Sequence, residues 1–360
     1  MFSGEIPDFI GNLQSLKVLT LDSCNFTGLI PTSVGNLIEL TIVVLSYNNL
    51  SGEILLPLSN LRCFWHTYEL RVFFFFFFII IGETGLLSFS LFNLPNLSQL
   101  YLFNYQFVGP LPNHVSGLLN LTHLDLSSNF LNGALPSWLF NLPSLEILYI
   151  GGNQFIGEIG EFKSNSLIVL DLGYNKLQGS IPRSISRLVN LTNLLLPSNN
   201  CSIMLEFEMF SKLQNLYFLD LSNNLVSINN HVTYTLPKLR RQNLSSCNIS
   251  EFPIFLRKAT NFEFLDLSKN RIYGQVPRWL GDMGTYFLDL HDTLLQGPFP
   301  NISFSWLEIL FISNNKLTEE IPSSICNVRS LEVLDLSHNN FSGMVPRCLV
   351  NSSVLSVLDL

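Results

Sequence analysis

One sixteen-position phrase governs this chain: L-x-x-L-x-L-x-x-N-x-L-x-G-x-I-P. A clear copy is Leu121, Leu124, Leu126, Asn129, Leu131, Gly133, Leu135 and Pro136. Its ninth position falls at Cys24, Asn48, Tyr105, Asn129, Asn153, Asn175, Asn199, Asn224, Cys247, Asn270, Thr293, Asn315 and Asn339. Apart from one step of 57, the spacing stays between 22 and 25 residues, and nine of the thirteen positions are Asn. Eight units place Pro seven residues later, from Pro31 to Pro346. A period in this range outranks any local secondary-structure reading.

Each part of the phrase has a physical task. The L-x-L pair alternates as a short strand must, sending its leucines into a shared core. The Asn side chain can satisfy backbone groups where the chain leaves that strand. Gly permits a tight turn, and Pro ends strand pairing because it lacks an N–H. One unit cannot bury its own apolar face, so stability comes from stacking.

The 360 residues therefore read as one continuous array and not as two or three globular domains. Charged residues make up only 13% and apolar ones 47%, which suits several buried leucines per turn. The net charge of −8, with no basic run, argues against nucleic acid or an anionic membrane as partner. Of six cysteines, Cys24 and Cys247 stand at the Asn position, Cys201 at an inward one, and none has metal-site spacing. Cys326 and Cys348 lie at similar phase in neighbouring turns, close enough for a disulfide.

The L-x-G-x-I-P half resembles the plant-specific leucine-rich repeat. SNNKLTEEIPSSIC (313–326), LEVLDL (331–336), SGMVPRC (342–348) and LSSCNISEFP (244–253) resemble the ectodomains of plant receptor-like proteins, the family that includes tomato fungal-resistance receptors. The resemblance implies an α/β solenoid: a superhelix with a parallel concave sheet and a mostly irregular or 3-10 convex side. It also implies a parent at the plasma membrane with a signal peptide, caps, one membrane helix on the far side of an extracellular array, and signalling through a co-receptor or adaptor kinase. Here the chain opens in the second half of a unit and closes in the first half of one. It begins with no basic-then-apolar leader. The expectation is an ectodomain fragment, with repeats over 1–61 and 91–360 truncated at the outer ends.

Between them, 62–90 is a non-repeat interruption. Six phenylalanines at 73–78 and three isoleucines at 79–81 fit no unit. The apolar run from 72 to 81 is half the length of a membrane span, and an exposed loop of phenylalanines would aggregate. The favoured reading is unspliced or misread sequence near 62–86, since phenylalanine codons match a pyrimidine tract at an intron edge.

No catalytic constellation appears. The six histidines are scattered, and neither H-E-x-x-H, G-x-S-x-G nor a phosphate-binding loop is present. The column Asp125, Asp171, Asp220, Asp266, Asp289, Asp335 recurs too regularly for a catalytic or metal ladder and reads as part of the repeat. No cofactor is expected. Function then rests on the concave surface, onto which the third, fifth, seventh and eighth positions face. Tyr101, Phe103, His123, Tyr149, Tyr174, Phe218, Phe264, Phe287 and Phe311 are the candidate ligand-binding residues, because aromatics bury much area at low entropic cost. Lateral packing between strands competes as their role. The ligand classes are peptide, glycan or protein.

Eleven N-x-S/T sequons, at Asn25, Asn49, Asn96, Asn120, Asn190, Asn200, Asn243, Asn248, Asn301, Asn340 and Asn351, point to a secretory glycoprotein. Units between 191 and 258 lose the Gly and Pro positions and should lack a regular second strand; this is either a recognition zone or drift. The leading functional reading is a ligand-recognition ectodomain in plant defence or developmental signalling. The alternatives are a soluble leucine-rich-repeat inhibitor of a pathogen wall-degrading enzyme, such as a fungal polygalacturonase, or a truncated gene product without independent function.

Overall fold

The computed structural model describes residues 2–28, 31, 33, 37, 42–45, 48–50, 85–86, 98–103, 107–115, 118–199, 207–228, 230, 235–259, 262–301, 304, 306–350 and 352–360. It forms two compact units, Met1–Leu177 and Gln178–Leu360. The interruption, apart from Gly85 and Leu86, lies outside the described residues, as does Cys201.

In the first unit Gln99–Tyr101, His123–Asp125, Ile147–Tyr149 and Val169–Asp171 pair in parallel, one strand per repeat. Val18–Thr20 and Ile42–Val44 pair in the same way. In the second unit the series runs Asn193–Leu195, Phe218–Asp220, Arg241–Asn243, Phe264–Asp266, Phe287–Asp289, Ile309–Phe311, Val333–Asp335 and Val357–Asp359. In each unit the strands of the longest such series form its first sheet, the face expected to be concave. Their register sets each repeat position against its equivalent. Most keep a buried middle residue between two half-buried ones, which is the period-two pattern of the sequence. The buried columns are the leucines: Leu121, Leu124 and Leu126, or Leu216, Leu219 and Leu221, have no exposed surface. Each contributes about 1.5–3 kcal/mol of burial.

The L-x-G-x half forms a second series of parallel strands, of two to five residues. Gly85–Leu86, Phe107–Pro110, Phe130–Ala134, Gln154–Gly157 and Lys176–Leu177 make one set. Tyr273–Gly274, Leu294–Pro298, Lys316–Glu320 and Asn340–Ser342 make another. Among the described residues of the second unit no second strand precedes Tyr273. The turn of Cys247, where Glu251 replaces the Gly, shows this directly; the matching stretches after Asn199 and Asn224 lie wholly or partly outside the described residues. Pro does more than end pairing. Pro7, Pro136, Pro182, Pro253, Pro277 and Pro322 each cap a short 3-10 turn, with φ between −60° and −75°. The one described α-helix is the four-residue Arg347–Val350.

The Asn column is the polar spine. Asn129 Nδ2 donates to the carbonyls of Leu102 (2.7 Å), Leu126 (3.0 Å) and Ser127 (3.1 Å), while Oδ1 accepts the Phe107 N–H (3.2 Å). One side chain thus ties two turns together. The residue before it is left-handed in every well-described turn. Ser128, Tyr174, Ser198, Asn223, Ser246, Lys269, Asp292, Asn314 and His338 have φ between 51° and 55°.

The Gly of L-x-G-x is left-handed as well, for example at Gly297 and Gly343, both φ 78°. Glu319 takes that position in the intervening turn and adopts φ 67°. A side chain costs about 1–2 kcal/mol there, partly offset by the unfolded-chain freedom of glycine. Glu319→Gly is therefore expected to stabilise the second unit by about 0.5–1 kcal/mol in urea melts. An unchanged or lower midpoint would show that Glu319 makes a compensating contact.

Candidate functional site

Four residues occupy the third position of the repeat in successive turns of the second unit: Phe218, Arg241, Phe264 and Phe287. The register stacks them into a row. The Arg241 guanidinium carbon lies 5.0 Å from the Phe218 ring centre and 5.6 Å from that of Phe264. Phe264 and Phe287 stack at 4.4 Å with planes 11° apart, and Phe311 meets Phe287 edge-on at 6.0 Å. All five side chains are half-buried, so the rings pack laterally and still present an edge to solvent. Cation–π contacts of this kind are worth about 0.5–2 kcal/mol and aromatic pairs about 0.5–1.5. Lateral packing and exposure thus coexist at the same residues.

Arg241 was not among the residues singled out from sequence, yet it is the only cation in the row. Its Nε is buried and makes no hydrogen bond, and among the described residues no carboxylate lies within ion-pair distance. Beside the row, the Tyr217 hydroxyl donates to Glu263 Oε2 at 2.5 Å across two turns, which raises the Tyr217 phenol above its ordinary value.

The first unit gathers a different group. Tyr101, Asp125, Tyr149 and Asp171 share the fifth position in successive strands. Burial, reinforced by Asp125, raises both tyrosines. His123 sits at a ring distance of 6.3 Å from Tyr101, with Nδ1 2.8 Å from the Thr122 hydroxyl, and burial lowers its imidazole despite Glu146. Phe103 is half-buried at the strand exit. Tyr174 stands apart, 63% exposed in the left-handed turn position.

The aspartate column serves the turns. Asp125 Oδ1 accepts the N–H and Oγ–H of Ser127 (2.9 and 2.6 Å); Asp220 and Asp335 do the same with Ser222 and Ser337. Asp171 and Asp266 accept one N–H each, from Gly173 and Ser268. Asp289 holds both the N–H and Nδ1 of His291. Among the described residues no cluster of His, Cys, Asp or Glu could hold a metal.

Burial raises the Asp220 carboxyl, with hydrogen bonds from Ser222 and Asn243 opposing. The folded state then holds that proton more tightly than the unfolded chain. Stability from this group is present at low pH and is lost as pH rises from the ordinary value of 3.8 through the raised folded value. Asn243 already fills the same column in the next turn and accepts the Ser245 N–H at 3.1 Å. Asp220→Asn is therefore expected to keep the turn and flatten the decline of stability with rising pH. Parallel pH curves for both proteins would contradict this.

Cys326 and Cys348 are joined by a disulfide, their Cα atoms 5.5 Å apart, while Cys247 is buried and free. Cys247 stands in for Asn, its Sγ 3.2 Å from the Leu221 carbonyl, and burial pushes its thiol up to about 12. Of the sequon asparagines, Asn25, Asn120, Asn190, Asn248, Asn301 and Asn340 are exposed and Asn243 is half-buried. Asn96, Asn200 and Asn351, and the side chain of Asn49, lie outside the described residues. No described helix is long and apolar enough to cross a membrane.

Family models described as leucine-rich repeats match residues 15–37, 119–164, 166–188, 261–283 and 305–360. Receptor-like protein 39 of Arabidopsis thaliana is 35% identical over 296 residues, covering 66% of this chain and 33% of that protein. The chain is a leucine-rich-repeat array similar to those of the plant receptor-like proteins. Receptor like protein 28 of the same plant is 34% identical over 199 residues, covering 47% of this chain and 25% of that protein. The chain thus spans a quarter to a third of the length of these relatives. A solved plant peptide hormone receptor, RGFR1 in complex with RGF2, superposes with a TM-score of 0.69 at 31% identity, over 99% of this chain and 53% of that one.

Proposed function

We infer that this chain is the ligand-recognition part of a plant cell-surface receptor, and that its ligand is a peptide lying along the first sheet. The carrying observation is the row Phe218, Arg241, Phe264, Phe287 and Phe311, half-exposed on one face and containing a cation with no ion partner among the described residues. An apolar rail with one fixed charge suits an extended chain whose apolar side chains lie on the rings and whose anionic group meets Arg241. The likeness to a receptor solved with a peptide hormone supports the same reading. In the parent protein, placed at the plasma membrane with this array outside, a co-receptor or adaptor kinase carries the signal onward.

The test is binding of size-fractionated apoplastic peptides to the natural full-length receptor and to a Phe264→Ala/Phe287→Ala variant. Removing two central aromatics is expected to weaken binding at least about 30-fold, the scale of a hot spot of ~2 kcal/mol. Equal binding by both proteins would overturn this assignment. Selective capture of a secreted wall-degrading enzyme through this same row would favour the inhibitor reading instead.

A further inference from the structure

Beside the row, one residue carries chemistry that recognition has not used. Asn243 heads the sequon Asn243, Leu244, Ser245. Among the described residues it is the one sequon asparagine on a strand of the first sheet. The exposed ones stand in loops beside the strands or on second strands, such as Asn25–Gly28 and Asn340–Ser342. Asn243 shares its strand and its face with Arg241, two residues away. Its flanking strands bring Asp220 and Asp266 to its sides.

We propose that Asn243 carries an N-linked glycan rooted on the recognition face, which covers the row around Arg241 and admits only a slender ligand. The hydrogen bonding permits it. Oδ1 accepts the Ser245 N–H at 3.1 Å, and Nδ2 donates to Asp220 Oδ2 at 3.3 Å. An amide nitrogen has two hydrogens, and a glycosylated one keeps one. That remaining N–H can hold Asp220 while the sugar replaces the other. Neither bond that fixes the side chain is lost.

The step needs a lipid-diphosphate-linked oligosaccharide as co-reactant. The bond from sugar C1 to the phosphate oxygen breaks, C1 bonds to Nδ2, the amide proton leaves, and the lipid diphosphate departs. No electrons are exchanged with an oxidant. The unfolded chain offers the sequon before the sheet forms, so later half-burial is no obstacle.

The consequence rests on reading the row as the ligand site. Strands stand about 4.8 Å apart, so a glycan core over Asn243 overlies the neighbouring turns of Phe218 and Phe264. A broad globular surface cannot then lie flat there. An extended peptide can still run along the third-position column beside the sugar. This narrows the ligand from peptide, glycan or protein to a slender chain.

The test needs no ligand. The natural full-length protein is purified from plant cells, and site-resolved mass spectrometry measures occupancy at Asn243. Phenylglyoxal modification of Arg241, relative to the exposed Arg278, is then compared in the native protein, in the enzymatically deglycosylated protein, and in Asn243→Asp and Ser245→Ala variants. The expected result is an occupied Asn243, with Arg241 reacting several-fold faster in all three sugar-free forms. The two variants remove the sequon at different atoms, so agreement between them excludes an effect of the new charge. An unmodified Asn243 beside modified Asn248 and Asn340 overturns the proposal. So does an occupied Asn243 whose removal leaves Arg241 reactivity unchanged. Either failure leaves the peptide-binding test above untouched.

Discussion

Replacing Asn270 with alanine is expected to cost about 3–5 kcal/mol and to unfold the middle of the second unit first. Asn270 Nδ2 donates to the carbonyls of Leu244 (2.7 Å), Leu267 (2.9 Å) and Ser268 (3.0 Å). Its Oδ1 accepts the N–H groups of Cys247 (3.0 Å) and Ile249 (2.9 Å). The site is buried, so alanine leaves several backbone groups dry and unpaired, at about 1–3 kcal/mol for each that finds no partner. Asn270→Cys should cost less, because Cys247 shows that a thiol can serve the same column. Hydrogen exchange should locate the loss in the turns around 247 and 270, since each turn is held by its neighbours. An alanine variant within about 1 kcal/mol of the wild type would show that the spine is not load-sharing in this way.

Gln242→Leu is expected to work in the opposite direction, stabilising by about 2–4 kcal/mol. Every other described turn of the second unit has leucine at this strand position, including Leu219 and Leu265 on either side. Gln242 has no exposed surface. Its Nε2 lies at the outer limit of a hydrogen bond to the Leu219 carbonyl, 3.4 Å, and its Oε1 has no partner. Leucine has nearly the same volume and carries no polar group into the core, so the change removes a desolvation cost without opening a cavity. A higher melting temperature and slower exchange around 219–265 are the expected outcome. A neutral or lower melting temperature would show that a bound water satisfies the amide.

The fold was legible because its rules repeat. Leucine, asparagine and proline recur at fixed positions, and each has a local physical reason that does not depend on the rest of the molecule. Among the described residues of the second unit, the absence of a second strand before Tyr273 was equally readable, because the repeat's glycine is missing in those turns. The left-handed residue before each asparagine was not. Ser128, Tyr174, Lys269 and His338 share no chemistry, and the conformation is imposed by the hydrogen bonds of the next residue. The recognition row was half legible. Its aromatics interrupt a polar pattern and draw attention one by one. Arg241 looked like an ordinary surface cation until the register set it between two rings. The signal was present: Phe218, Arg241, Phe264 and Phe287 follow one another at equal steps of 23 residues. Gln242 was hidden for a related reason, since a single glutamine in a leucine column shows only when every turn is aligned.

The central claim is that ligand binds along this row of the first sheet. Its most direct measurement replaces Phe264 with a photoreactive benzoylphenylalanine in the full-length receptor, exposes the cells to apoplastic peptides and irradiates. Lys316, exposed on a second strand, carries the same group as the control position. The account predicts that a peptide of defined mass is captured at 264, is competed by excess unlabelled peptide, and is not captured at 316. Capture at 316 with none at 264 would contradict it.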